Sequence, residues 1–298
     1  MRGKSTSQDV DVGWALAHAE RSLPTARPRA FTLIELLVVI SILALLLAIL
    51  LPTLQQVRQR AKATGCQAKL RQWGIVFCMY MNEHNEIFAD REGKYPEWWR
   101  CARPYYGNVD GLLLCPRATR YEFNKNDPQW EASAAFGWGV GSKFTPWKVT
   151  SNLGSAASQM PFYGSYGVNM AMFDTYSAHP TSLRMLPRPA RSAMPFLLDC
   201  IGALYWVGPT SAPPPAYDGD VAPGADFRSD PCMKWFCINR HDGATNCLFL
   251  DWSVRRVGLK ELWTLKWHGG WNTCGPWTKA GGVQPEDWPP WMRRFKDY

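Results

Sequence analysis

An α+β architecture follows from three features of this 298-residue chain. An unbroken apolar run lies near the N-terminus, an amphipathic stretch comes directly after it, and the texture changes beyond Asn85, where Gly, Pro, Trp and Tyr become frequent. The first two read as one long helix, transmembrane and then amphipathic. The third reads as a small antiparallel, β-rich and loop-rich head onto which that helix packs. Four segments result: a leader at 1–30, a membrane helix at 31–52, its amphipathic continuation at 53–85, and a globular head at 86–298.

The apolar run Phe31–Pro52 reads FTLIELLVVISILALLLAILLP and carries one charge, Glu35. From Phe31 to Leu51 a helix would be roughly 31 Å long at 1.5 Å per residue, enough to cross the hydrocarbon core of a bilayer. A carboxylate there costs on the order of 3 kcal/mol on insertion scales, so it calls for a partner. A cut between Ala30 and Phe31 would supply one. The new α-amino group lies one helical turn from Glu35, and in a bundle of identical helices it can neutralise Glu35 of a neighbour. Pro52 removes one backbone bond and is expected to bend the helix rather than end it. Beyond it Ala63, Cys66, Leu70, Trp73, Phe77 and Tyr80 recur at spacings of three and four, with Arg58, Lys62, Lys69 and Arg71 on the opposite face. The helix is therefore expected to continue to about Asn82 and to present an aromatic stripe to the head.

Strands are expected at Leu112–Cys115, Phe136–Val140, Tyr166–Asn169, Phe196–Asp199, Leu204–Val207, Asn246–Leu250 and Val254–Val257. The Pro/Gly/Asp-rich segment 211–231 reads as an exposed loop. Net charge is +8, and the first 30 residues carry five basic against three acidic residues, leaving +6 on the remainder. The positive charges form no long run, so nucleic acid is not an expected partner. The leader's Arg2, Lys4, Arg21, Arg27 and Arg29 place that side in the cytoplasm by the positive-inside rule and the head outside it. All nine cysteines fall on the exported side, where disulfides can form, and an odd number leaves at least one unpaired or paired between chains.

The residues from Ala30 to Pro52 resemble the prepilin-type cleavage and methylation segment of type IV pilins and type II secretion pseudopilins. That resemblance implies cleavage by a prepilin peptidase/methyltransferase, with Phe31 as the methylated N-terminus. It gives Glu35 the role of docking charge, with Thr32 and Leu33 beside it and Pro52 at the kink. Other pilin-like subunits are the implied partners, and the implied location is the inner membrane, single-pass, with the head exported. Ala30 stands where the family usually has Gly.

Toward the C-terminus, His241 and Asp251 are separated by nine residues in RHDGATNCLFLDW. This resembles the H-X9-DG signature of a class of bacterial prepilin-type proteins, with Cys115-Pro116, Ser165-Tyr166-Gly167-Val168-Asn169 and Phe196-Leu197-Leu198-Asp199 as accompaniments. Trp252 replaces the family's Gly. Asp-Gly would make a tight hairpin turn needing positive φ, and Trp disfavours it, so a different or longer loop is expected to close the hairpin.

Two sets of residues have ligand chemistry. Cys232, Cys237, His241 and Cys247 are zinc-like donor types, set against disulfide or purely structural roles. Asp218, Asp220, Asp226 and Asp230 could supply oxygens to calcium but lack ordered EF-hand spacing. Neither leads to an expected cofactor. The 16 tryptophans fit either a core filled with aromatics or a carbohydrate-stacking surface, the first being preferred. No nucleophile arrangement, phosphate-cradling loop or paired-carboxylate signature stands out, so no enzyme activity is expected. The resemblance implies a structural subunit of a secretion- or pilus-type filament. The rival is a membrane-anchored binding protein with a Trp-rich head.

Overall fold

The computed structural model describes residues 31–86, 98–107, 109–118, 138–139, 141–149, 162–172, 188–205, 207, 212–219 and 233–298. The chain divides into two compact units, Met1–Pro52 and Thr53–Tyr298.

Helix α1 runs from Leu33 to Glu83 and continues through Pro52 without a break. Its start is set by Thr32. The Thr32 hydroxyl accepts from Glu35 N (3.2 Å), while the Glu35 carboxylate accepts from Thr32 N (2.9 Å) and the Thr32 hydroxyl (2.8 Å). This reciprocal capping box satisfies donors that a helix start leaves open, worth about 1 kcal/mol. Within the first unit the apolar side chains are exposed, Leu33 by 87% and Leu45 by 65%. The helix is long and apolar enough to cross a membrane by length and composition.

In the second unit the stripe read from the sequence is the buried face of α1. Cys66, Leu70, Trp73, Phe77 and Tyr80 are buried together with Gly74, Val76 and Met81. Gly74 marks a close approach: a Cβ there would sit 3.2 Å from Leu248 Cδ1 and 3.5 Å from the Trp252 carbonyl. Short helices follow at Trp98–Cys101 (α2), Arg103–Tyr106 (α3), Arg188–Arg191 (α4) and Met233–Phe236 (α5).

Strands β1 (Trp138–Gly139), β2 (Trp147–Val149) and β3 (Phe162–Gly164) form a three-stranded antiparallel sheet. Strands β4 (Tyr166–Asn169), β5 (Pro195–Asp199), β6 (Leu204–Tyr205), β7 (Ala244–Phe249) and β8 (Val254–Gly258) form a five-stranded sheet in the order β6-β4-β5-β7-β8. The architecture is α+β, as expected. One pair departs from the antiparallel pattern: β6 runs parallel to β4, with Val168 opposite Leu204. The expected strand at Leu112–Cys115 is instead a 3-10 turn over Asp110–Leu113.

Successive side chains of a strand face opposite ways, and the larger sheet uses this to separate two apolar clusters. Leu197 and Leu248 join the cluster that includes the α1 stripe, Trp98, Trp99 and Trp147. Leu198, Cys247 and Phe249 join the other, with Trp263, Trp267, Trp271 and Trp288. All of these tryptophans and Trp73 are at most 1% exposed. Several satisfy their indole N–H on backbone carbonyls: Trp73 on Leu112 (2.9 Å), Trp98 on Ala203 (2.7 Å) and Trp147 on Tyr166 (3.0 Å). These tryptophans thus fill cores.

The β7–β8 hairpin is closed by Leu250–Ser253, longer than a two-residue turn. Trp252 N donates to Phe249 O and Phe249 N to Ser253 O, both at 2.9 Å. Trp252 itself adopts φ +66°, so the loop keeps a left-handed position and places a tryptophan in it. The ring is held edge-on against Phe196, with centroids 5.9 Å apart.

Candidate functional site

Two regions carry the sequence-derived site residues. In the first unit Phe31 is 72% exposed, and Thr32, Leu33 and Glu35 form the first turn of α1. Ala30 lies outside the described residues.

In the second unit four of the sequence motifs converge on one buried polar centre. Cys66 reaches it from α1, Cys115 from the segment after the 3-10 turn, Asp199 from the end of β5 and His241 from the segment leading into β7. Their ligand atoms all lie within 4.8 Å of one another. His241 Nε2 is 3.1 Å from Asp199 Oδ2 and 3.4 Å from Cys115 Sγ. Cys66 Sγ is 3.7 Å from both Asp199 oxygens, and the Tyr166 hydroxyl donates to Cys66 Sγ at 3.2 Å. Cys66 and Cys115 are both free thiols.

Arg240 surrounds this centre from outside. It is fully buried and donates to Asp199 Oδ1 (3.1 Å) and to the carbonyls of Ser165 (2.7 Å), Lys143 (2.9 Å), Ser142 (3.1 Å) and Cys200 (3.3 Å). Asn246 N donates to Asp199 Oδ2 at 3.0 Å. Cys115 N donates to the Ser165 hydroxyl at 2.5 Å. The Ser-Tyr-Gly-Val-Asn motif therefore serves the centre through Ser165 and Tyr166, whereas Asn169 lies elsewhere, donating to Pro195 O and Trp267 O.

The electrostatics follow from burial opposed by close charges. Burial would raise the Asp199 carboxyl, yet His241, Arg240 and the Asn246 amide hold it well below the usual carboxylate range. Burial would lower His241, but Asp199 raises it to about 9. Burial pushes the Cys115 thiol up; hydrogen bonds from Cys66 and His241 and the Arg240 charge overcome this and bring it to about 6. Cys66, buried and facing Asp199, is held well above the ordinary thiol value.

His241 and Asp251, joined by their spacing, are not brought together. Asp251 sits in the hairpin loop and accepts from Ser253 N (2.9 Å) and the Ser253 hydroxyl (2.6 Å). Nor does His241 group with Cys237 and Cys247. Those two are buried in the second cluster, because strand alternation turns Cys247 to the sheet face opposite Asn246 and α1. Asp218 has both oxygens engaged, by Lys143 Nζ at 2.6 Å and Asn239 N at 2.9 Å. Cys232, Asp220, Asp226 and Asp230 lie outside the described residues. Sequence reasoning quoted Cys115, Ser165, Tyr166 and Asp199 as accompaniments of the His241 signature but did not place them beside His241 in space, and it missed Arg240. The signal for Cys66 was its place on the buried stripe.

Comparison with known families agrees with the N-terminal reading. A family model described as the prokaryotic N-terminal methylation motif matches residues 25–51. No curated protein and no solved structure matches the chain. The chain carries a type IV pilin-like prepilin cleavage and methylation segment, and with it an apolar helix suited to single-pass membrane anchoring.

Proposed function

We propose that the protein is a structural pilin-like subunit, a pseudopilin. In this reading a prepilin peptidase cuts between Ala30 and Phe31 and methylates the new amine. The subunit waits in the inner membrane with its N-terminus cytoplasmic and its head exported, then assembles with other pilin-like subunits through its N-terminal helix into a secretion- or pilus-type filament. The observation that carries it is Glu35, a lone acid within the matched methylation motif. It lies in the first turn of an apolar helix, four residues from the proposed cut. The Thr32 capping box holds that carboxylate at the helix start, where the positive end of the helix dipole favours it. A free α-amine at Phe31 of a neighbouring subunit then finds an acceptor already positioned. The buried tryptophans favour a structural head over a surface that stacks glycans.

N-terminal sequencing and intact mass of the membrane-extracted protein test the processing step, the expected result being a chain beginning with methylated Phe31. Glu35→Ala tests assembly. The variant is expected to remain in the membrane at normal abundance and to disappear from sheared filament fractions. Full incorporation of the variant would reject the docking role.

A further inference from the structure

We infer that Cys66, Cys115, Asp199 and His241 form a closed structural zinc site that pins α1 to the head. The sequence led to no cofactor, and its zinc-like donor set lay around Cys237 and Cys247. The geometry points to a different set.

The first support is distance. Tetrahedral zinc with bonds of about 2.3 Å to sulfur and about 2.0–2.1 Å to nitrogen or oxygen places a sulfur–nitrogen or sulfur–oxygen pair about 3.5 Å apart and a nitrogen–oxygen pair about 3.3 Å apart. Three of the six edges are 3.4 Å for Cys115 Sγ to His241 Nε2, 3.7 Å for Cys66 Sγ to Asp199 and 3.1 Å for His241 Nε2 to Asp199 Oδ2, and all four ligand atoms lie within 4.8 Å of one another.

The second support is direction. One ring nitrogen, Nε2, faces both the carboxylate and the thiol, while Nδ1 is buried with no hydrogen-bond partner among the described residues. A catalytic relay uses the two nitrogens for different partners, one toward the nucleophile and one toward the orienting acid. Here one nitrogen serves both partners, and four donor atoms cluster within 4.8 Å of one another, as a metal site requires.

Third, the surroundings fit the ion. Two thiolates, one carboxylate and the Arg240 guanidinium sum with Zn²⁺ to zero, so a dry interior would hold a neutral assembly. The Tyr166 hydroxyl on Cys66, and Arg240 and Asn246 on Asp199, orient the donors as outer-layer partners of metal ligands do. The four residues are at most 2% exposed, which leaves no open position for substrate and makes the role structural. The mixed sulfur, imidazole and carboxylate set selects zinc over the hard cations calcium and magnesium.

The test is the metal content of the full-length chain purified in detergent without added chelator. One zinc per chain is expected, retained in Cys274→Ser, an exposed cysteine away from the centre, and lost in Cys66→Ser and Cys115→Ser. Because those variants could fail to fold, the unaltered chain is also loaded with cobalt. Visible bands of tetrahedral cobalt with a thiolate charge-transfer band are expected. A six-coordinate spectrum without thiolate character overturns the site. So does a metal-free wild-type protein whose non-reduced digest contains a Cys66–Cys115 disulfide peptide, and so does zinc retained in folded Cys66→Ser or Cys115→Ser.

Discussion

Trp73 is where the aromatic stripe of α1 can be tested most directly. Its ring is fully buried and meets Phe77, Trp98 and Tyr106 at centroid distances of 5.5, 5.1 and 4.9 Å. Trp73→Ala removes the side chain from a cluster that helix and sheet residues close on all sides. Such truncations cost about 3–5 kcal/mol. The Leu112 carbonyl also loses its 2.9 Å donor, adding roughly 1–3 kcal/mol where water does not replace it. For a domain of this size each kcal/mol moves the midpoint by about 2–4 °C, so a fall of at least ~6 °C is expected. Trp73→Phe keeps most of the burial and gives up the hydrogen bond, for about 1–3 kcal/mol. Arg71→Ala, on the exposed face of the same helix, should stay within about 0.5 kcal/mol. Thermal and urea melts of the full-length protein in detergent, followed by near-ultraviolet circular dichroism, separate the three. A Trp73→Ala protein melting within ~3 °C of wild type, or an Arg71→Ala protein losing as much, would refute the packing of this face against the head.

Trp252 offers a comparison of backbone strain with packing. Trp252→Gly should relieve a left-handed residue, worth about 1–2 kcal/mol, while giving up a half-buried ring against Phe196 worth a similar amount, so stability should change by less than about 1 kcal/mol. Trp252→Ala loses the ring and keeps the positive φ, and it should melt below the glycine variant. Arg240→Met strips a guanidinium from Asp199, which keeps only His241 as a cationic partner among the described residues, and from four carbonyls, and should cost about 3–5 kcal/mol. A urea midpoint equal to wild type would contradict the burial of that pair.

The features legible in the sequence were those set by local spacing. An apolar run and a three-and-four stripe gave a helix from Phe31 to about Asn82, against Leu33–Glu83 in the structure. Tyr166–Asn169 was read with its observed bounds, and β5, β7 and β8 differ by one or two residues at their ends. Leu112–Cys115 failed because four apolar residues carry no period that separates strand from turn. Its backbone instead turns so that the Leu112 carbonyl meets Trp73 and the Gly111 and Leu114 carbonyls meet Lys69 at 2.7 and 2.8 Å. β2 and β3 were missed because three-residue strands leave too little alternation to detect. For the hairpin, a longer loop was expected from Trp252 and is present, but the positive φ persists because packing on Phe196 holds it. The polar centre was hidden for another reason. Its motifs were each visible, but Cys66 and Asp199 are 133 positions apart, and only the fold of sheet on helix makes them neighbours.

That centre also explains how one arrangement is chosen from several that the apolar clusters would accept. Hydrophobic surfaces reward burial with little regard to phase, and a stripe of Leu, Trp, Phe and Tyr could pack on the sheet in more than one register. Polar partners are stricter. Asn246 on β7 accepts from Gln67 Nε2 at 3.0 Å and donates to Ala63 O at 3.4 Å, while its own N–H holds Asp199, which faces Cys66. A one-residue slip would rotate α1 by about 100° and break these contacts together, leaving Asp199 and Asn246 without their partners on α1 and Cys66 without Asp199. Unmade buried hydrogen bonds cost about 1–3 kcal/mol each, enough jointly to exclude the slipped packing. The clusters make α1 adhere to the head, and the centre fixes the phase in which it does so.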